Sequence, residues 1–461
     1  MSGADQGVAR ARVELERCLA PDRLSATAFD LDRVSRDESS LPPGSADLVV
    51  FPESTAEVAA VTRIARETRT PLTARGGGTS LEGNPIPVLG GIVLDLGRMN
   101  RLLDVSPIDL YATVQPGLSH LELNRRLADF GLFFSATPGG TGVAATVGGL
   151  IANNASGIYS LRYGSARRSL LACEVVTGTG DVLRAGGMAP RRSSGYDLPG
   201  LLAGSEGTLG ILTELTVSLH PVPESRRRSA AIFPTDDAAA RAIGALRLHG
   251  LDLAAIELVN REAAALAAAE EGVAAREGAL VLIEVHGSAS AAAEISVEAG
   301  GVCRDGGGAV CSDAAAAQLW RCRERLTAAV RRAIPDARVV RADLGAPVSR
   351  LPELISWCDA RRRAKNLALY IFGHGGVGIL HALLPVPADS SAEADARDFR
   401  ERLIERAVSL GGTVSAEHGI GIGNRHLMRL EHGEALGLMS GIKKLFDPEG
   451  VLNPGKVLPI C

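Results

Sequence analysis

Three adjacent glycines, Gly76-Gly77-Gly78, constrain this chain more than any other feature. They open the run Arg75 to Asn84, between the strand-like Pro71-Leu72-Thr73 and the apolar Gly91-Ile92-Val93-Leu94-Asp95-Leu96. Three missing Cβ atoms let a backbone turn sharply or lie close against another group. Successive backbone N–H groups in such a turn can converge on an anion. Thr79, Ser80 and Asn84 add side-chain donors, and Gly83 keeps the far end bare, so the run reads as a phosphate-holding loop.

A loop of this kind needs a scaffold, and the flanking pattern is strand, helix, strand, loop, strand. Val49-Val50-Phe51 reads as a strand. Ser54 with Glu57 reads as a helix start, followed by an apolar stripe through Val58, Val61, Ile64 and Ala65. Two further glycine-rich segments follow. The first holds Pro138, Gly139, Thr141, Thr146, Gly148, Gly149, Asn153, Asn154 and Gly157, and closes at Tyr163. Its residues are small and almost uncharged, as suits backbone packed on a flat ligand. The second, with Glu206, Gly207 and Gly210, runs at Ile211 into the alternating strand Leu212 to Val217.

With 461 residues, 46% hydrophobic and 22% charged, the chain is globular and long enough for more than one domain. A net charge of −4 gives no reason to expect nucleic acid. No run of about 18 apolar residues suggests a membrane span, and the polar opening has no signal-peptide core. Seven widely spaced cysteines without C-x-x-C fit neither a disulfide scaffold nor iron–sulfur ligation. A cytoplasmic setting is the expectation, with peripheral membrane attachment through an electron acceptor as the alternative. The boundaries expected are a helical leader over 1–46, a ligand-binding domain over 47–223, an α+β substrate domain over 224–410, and a segment over 411–461 that returns to the first domain.

In the second half, Gly373, Gly375 and Gly378 form a G-x-G-x-x-G. The following Ala382-Leu383-Leu384 and Pro385 read as strand and not helix, so a dinucleotide fingerprint is rejected. A hairpin that pairs His374 with His381 is the better reading, and two imidazoles bracketing a glycine turn can chelate a divalent ion. Glu417-His418, set among small residues, offers a carboxylate ligand and a base that titrates near neutrality. Arg323 and Thr327 lie four apart on one face of the helix read over Gln318 to Arg332.

Taken in order, the Arg75–Asn84 loop, the Pro138–Gly157 segment and the Gly204–Ile211 cluster resemble the FAD-binding domain of vanillyl-alcohol-oxidase or PCMH-type flavoproteins. His374…His381, Glu417-His418 and Leu452-Asn453-Pro454 resemble the FAD-linked D-2-hydroxyacid dehydrogenases: D-lactate, glycolate and D-2-hydroxyglutarate types. The resemblance implies an α+β fold, the FAD domain joined to a ferredoxin-like cap. FAD would be held non-covalently, since neither glycine loop carries a histidine. His374, His381 and Glu417 would hold a divalent metal, zinc being usual, and His418 would be the base. Arg323, Thr327 and Arg341 would grip a substrate carboxylate. Electrons would pass to a separate quinone, cytochrome or electron-transfer flavoprotein, and a homodimer is compatible with the family.

Three departures bear on the substrate. Gly376-Val377-Gly378-Ile379 replaces the family's Gly-Asp-Gly-Asn, Leu383 replaces a polar residue, and Arg341 stands where lysine is usual in the hydroxyglutarate group. They point to a substrate side chain other than a second carboxylate. The rival readings are an oxidase using oxygen, a non-catalytic flavin subunit of an electron-transfer complex and, more distantly, an ether-lipid synthase of similar fold.

Overall fold

A computed structural model describes residues 3–137, 144–189, 191–272, 277–387 and 391–459. The chain divides into two compact units. The first comprises Met1–Ala155, Ser165–Val222 and His418–Cys461, and the second Ser156–Gly164 and Pro223–Glu417. The opening helix belongs to the first unit, and the chain crosses back into that unit between Glu417 and His418.

In the first unit, Leu48–Val50 and Leu72–Arg75 lie parallel to the central strand Ile92–Asp95. The helix Thr55–Thr68 links the first two. It starts at Ser54 with the expected capping box: Ser54 Oγ accepts from Glu57 N at 3.3 Å, and the Glu57 carboxylate accepts from Ser54 N at 3.2 Å. Its Val58, Val61 and Ala65 join Leu48, Val50, Leu72 and Leu94 in one buried cluster. That packing holds the end of Leu72–Arg75, and so the start of the glycine turn, in place. A second sheet is antiparallel, in the order Leu102–Ser106, Tyr111–Val114, Ile211–Ser218, Leu170–Val176, Val182–Gly186. A hairpin that turns between Val176 and Val182 forms its last pair. The C-terminal turn bonds back to the first sheet, with Leu72 N donating to Val451 O and Asn453 N to Leu72 O, each at 2.8 Å.

The second unit is built on a sheet of seven strands among the described residues. Their order is Ala309–Val310, Ser225–Phe233, Ala279–Gly287, Ala255–Val259, Tyr370–Gly373, Ile379–Pro387, Ala337–Gly345. Every pairing is antiparallel. The strand that leads into the histidine hairpin starts at Tyr370. Antiparallel partners share a face. The pairs Arg228–Glu284, Leu282–Glu257, Val259–Phe372, Phe372–His381 and His381–Asp343 therefore line up a single face. The helices Arg261–Glu270 and Asp313–Ala333 cover part of it with an apolar cluster that includes Trp320, Leu326, Val259, Phe372 and Leu383. The same face thus carries both core and charged groups.

Candidate metal centre and cofactor loop

His374 follows the strand Tyr370–Gly373, and His381 lies on the strand Ile379–Pro387. The tight turn between them brings their rings to 5.7 Å, nearly perpendicular. Both are buried. Glu417 completes the group: its Oε1 lies 3.2 Å from His381 Nε2 and its Oε2 lies 3.6 Å from His374 Nε2. One ligand atom from each of the three falls within 4.8 Å of the others.

The other nitrogen of each imidazole faces a carboxylate. His374 Nδ1 donates to Glu257 Oε1 at 2.7 Å, and His381 Nδ1 faces Asp343 Oδ1 at 3.4 Å. Glu257 and Asp343 are almost wholly buried. A carboxylate on Nδ1 fixes the ring and leaves Nε2 to present a lone pair, the usual outer arrangement around a metal-bound histidine. The donor set of two imidazoles and one carboxylate suits a divalent transition ion. Without an ion, burial works against protonation of His381, but the Asp343 and Glu417 carboxylates outweigh it and push its pKa up to about 9.

Asp343 has a second task. Its Oδ2 accepts from Ser415 Oγ at 3.1 Å, Ala416 N at 3.0 Å and Glu417 N at 2.8 Å, which fixes the backbone that presents Glu417. Glu257 is also shared. Its Oε2 accepts from Arg323 Nε at 2.9 Å and lies 2.7 Å from Arg323 Nη2. The Arg323 guanidinium stacks over Phe372 at 4.6 Å from the ring centroid. One edge of the arginine expected to grip substrate, Nε with Nη2, is therefore occupied by a protein carboxylate. Thr327 sits half-buried one turn further along the helix Asp313–Ala333. Arg341 pairs across from Leu383, two residues before Asp343, and so shares the face of His381. Ile379 lies on that face too and is buried, while Val377 is half-buried in the turn.

Glu257 and Asp343 escaped the sequence reading. The signal was present for Glu257, a lone charge inside the apolar Ile256-Glu257-Leu258-Val259 at a position whose neighbours two residues away face the core.

In the first unit the glycine turn follows Leu72–Arg75 directly. A Cβ on Gly77 would run into the carbonyl oxygen of Ala144, and one on Gly76 would come 2.5 Å from Thr146 Oγ1, so the turn lies flat on the Ala144–Thr146 segment. Arg75 braces the turn from behind, with Nη1 donating to Arg36 O at 2.8 Å. The Gly83 amide donates to Asp37 Oδ2 at 2.8 Å, and Ser80 Oγ to Asn84 Oδ1. Asn84 Nδ2 donates to Asn153 Oδ1 at 3.3 Å and to Glu206 Oε2. Asn453 Nδ2 donates to Asn84 O at 3.0 Å and Glu206 O at 2.7 Å. Residues from three glycine segments and the C-terminal turn thus meet in one buried polar cluster. Thr146 caps the short helix Val147–Asn153 by accepting from Gly149 N, and Gly148 N donates to Pro116 O at 2.9 Å. Asn154 ends that helix in a left-handed conformation and accepts from Arg167 N at 3.0 Å. Gly207 follows Glu206, Gly210 packs on Val175, and Ile211 opens its strand.

Two residues expected at the cofactor stand outside the first unit. Gly157 and Tyr163 belong to the second unit, where Tyr163 Oη lies 2.8 Å from His286 Nδ1 and Tyr159 Oη donates to Glu284 Oε1 at 3.1 Å. Pro138, Gly139 and Thr141 lie outside the described residues. His418 is half-buried and follows Glu417 across the boundary between the units. No described helix is long and apolar enough to cross a membrane.

Two family descriptions match the chain: "FAD binding domain" over residues 46–186 and "FAD linked oxidases, C-terminal domain" over residues 222–457. A probable mitochondrial D-lactate dehydrogenase of Danio rerio is 35% identical over 92% of this chain and 87% of its own length. A glycolate oxidase subunit GlcD of Bacillus subtilis is 32% identical, over 89% of this chain and 88% of its own. Among solved structures, 4-ethylphenol oxidase of Gulosibacter chungangensis matches with a TM-score of 0.80 at 20% identity, covering 98% of this chain and 97% of that one. P-cresol methylhydroxylase matches at 0.79 and 16%, over 99% and 97%. These two support the fold alone.

Proposed function

This chain belongs to the FAD-linked oxidase family that includes D-lactate dehydrogenases and glycolate oxidase subunits, and from that membership we propose that it oxidises a D-2-hydroxy acid of the lactate or glycolate type to the 2-oxo acid. It is an FAD-linked oxidoreductase; the substrate, the metal and the residue roles that follow are our reading. The observation that carries it is the convergence of two imidazole Nε2 atoms on Glu417, with each Nδ1 facing a buried carboxylate.

When bound, FAD supplies a two-electron acceptor and a divalent ion, zinc in this reading, supplies a Lewis acid. His374, His381 and Glu417 would hold the ion. The turn Arg75–Asn84 would hold the pyrophosphate, and the segments around Thr146–Asn154 and Glu206–Ile211 would line the rest of a cofactor held without a covalent tether. His418 would take the proton of the substrate hydroxyl, a transfer suited to an imidazole near neutral pH. Arg341 would hold the substrate carboxylate, where a planar fork suits two oxygens. Arg323 would share that task only through its outer Nη1/Nη2 edge, since Glu257 takes the Nε/Nη2 edge. Apolar Ile379 and Leu383 on the same sheet face favour a small or apolar substrate side chain over a second carboxylate. The cysteines lack iron–sulfur spacing, so electrons would leave to a separate quinone, cytochrome or electron-transfer flavoprotein.

An anaerobic screen of flavin reduction over D- and L-2-hydroxy acids tests this. D-lactate or glycolate should bleach the flavin, and L-lactate should do so far more slowly. A flavin left oxidised by every acid tried would overturn the proposal.

A further inference from the structure

Glu417-His418-Gly419-Ile420-Gly421 places a working histidine next to residues with little intrinsic stiffness. Something outside the segment must fix it. Asp343 holds the backbone before His418, through the amides of Ala416 and Glu417. After His418, within the first unit, a different buried carboxylate takes over. Ile420 N donates to Glu206 Oε1 at 2.6 Å and Gly421 N to Glu206 Oε2 at 2.8 Å. Both oxygens of one side chain are thus committed to two successive backbone amides.

The surroundings of this clamp are strained and crowded. Gly419 has φ +83°, and a Cβ there would come 2.8 Å from both Glu206 Oε1 and Asn84 Nδ2. Glu206 itself has φ +53°, Asn453 +40° and Val457 +62°, the last unusual for a β-branched residue. Val457 N donates to Gly421 O at 3.1 Å, and Ile422 N to Glu82 O at 2.8 Å. Lys456 is buried beside the cluster, donating to Asn453 Oδ1 at 2.5 Å. Left-handed non-glycine residues persist only where the surrounding structure over-determines them, and they gather at functional sites. Buried charge adds little to stability compared with apolar packing. What this cluster does secure is the path of the backbone two residues after His418.

We infer that Glu206 is a positioning residue for His418: its carboxylate clamps the 419–421 backbone and so sets the imidazole for proton transfer. The inference rests on the dehydrogenase reading, and it gives Glu206 a role distinct from the cofactor contact expected of it. A misplacement of about 1 Å costs on the order of a hundredfold in rate.

The test uses the flavin-loaded protein. Glu206→Gln keeps the volume and removes one of the two acceptors. Gly419→Ala leaves Glu206 intact and pushes the backbone off it. In both, the limiting rate of anaerobic flavin reduction by D-lactate should fall at least about tenfold. The half-saturating D-lactate concentration should stay within about twofold, because no group given to the substrate is altered, and rates are compared per bound flavin because Glu206 also stands in a cofactor segment. Amide exchange across residues 418–424 should quicken in Glu206→Gln. Reduction at the wild-type limiting rate in both variants overturns the inference. A slower rate without faster exchange also overturns it, since Glu206 would then act by another route. If the wild type itself is not reduced by any hydroxy acid, the dehydrogenase reading fails, and with it the role given to His418.

Discussion

Replacing Glu257 by glutamine separates metal binding from folding most cleanly. Glu257 is fully buried; it accepts from His374 Nδ1 at 2.7 Å and from Arg323 Nε at 2.9 Å. Alanine would leave Arg323, whose side chain is 13% exposed, as an unpaired buried cation. Such a loss costs about 3–5 kcal/mol and would confuse the result with unfolding. Glutamine keeps the volume and one acceptor oxygen, but its NH2 faces a donor on one side. If that donor is His374 Nδ1–H, the ring loses the partner that fixes its orientation and raises its basicity. Loss of such a partner weakens metal binding by about 10–100-fold, or about 1.4–2.8 kcal/mol. Competition with a coloured chelator for zinc, run on wild type and Glu257→Gln at one pH, reads the difference directly. Equal zinc affinity in folded variant and wild type would refute the account of Glu257 as the group that presents His374.

Three further expectations come from the same structure. A divalent ion must displace the proton that Asp343 and Glu417 hold on His381, whose pKa stands at about 9 in the ion-free protein. Zinc affinity should therefore climb about tenfold per pH unit between pH 6.5 and 8.5 and flatten above 9; a flat profile across that range contradicts it. Lys456 is pushed down to about 7 by burial, against the pull of Glu206 and Asp37, while an unfolded lysine titrates near 10.5. Between those values the unfolded chain binds more protons, so this group makes stability rise with pH. The urea midpoint of wild type should accordingly gain on that of Lys456→Met from pH 7 to pH 10, and a constant gap would count against it. Ser54→Ala removes the capping box of the helix Thr55–Thr68 and should cost about 1 kcal/mol, seen as a lower midpoint in urea.

Local chemistry made much of this legible in the residues themselves. Ser54 and Glu57 announced a helix start because the capping box is a contact within four residues. The histidine hairpin was readable because a glycine turn between two apolar runs sets which residues oppose. The FAD-type fold followed from three glycine segments in order, and the domain match and structural neighbours agree with it. Glu257 and Asp343 were hidden for a different reason. A carboxylate in a strand looks like a solvent-facing residue until the sheet order shows both faces covered. That order depends on pairings between strands more than 100 residues apart, such as Leu258 with Gly373. Arg323 illustrates the same limit: helical spacing gave its face, but not the buried glutamate opposite it. Gly157 and Tyr163 read as a continuation of the small-residue segment, yet tertiary bonds to His286 and the strand Ala279–Gly287 draw that stretch into the other unit.

The most direct measurement is the rate at which D-lactate reduces the bound flavin anaerobically, taken on one preparation as purified, after exhaustive chelation, and after zinc is restored. The account predicts fast bleaching, a loss of at least about a hundredfold on chelation, and recovery with zinc, because the ion is asked for several kcal/mol of barrier lowering. Bleaching at an undiminished rate in protein shown to be free of divalent ions would contradict it.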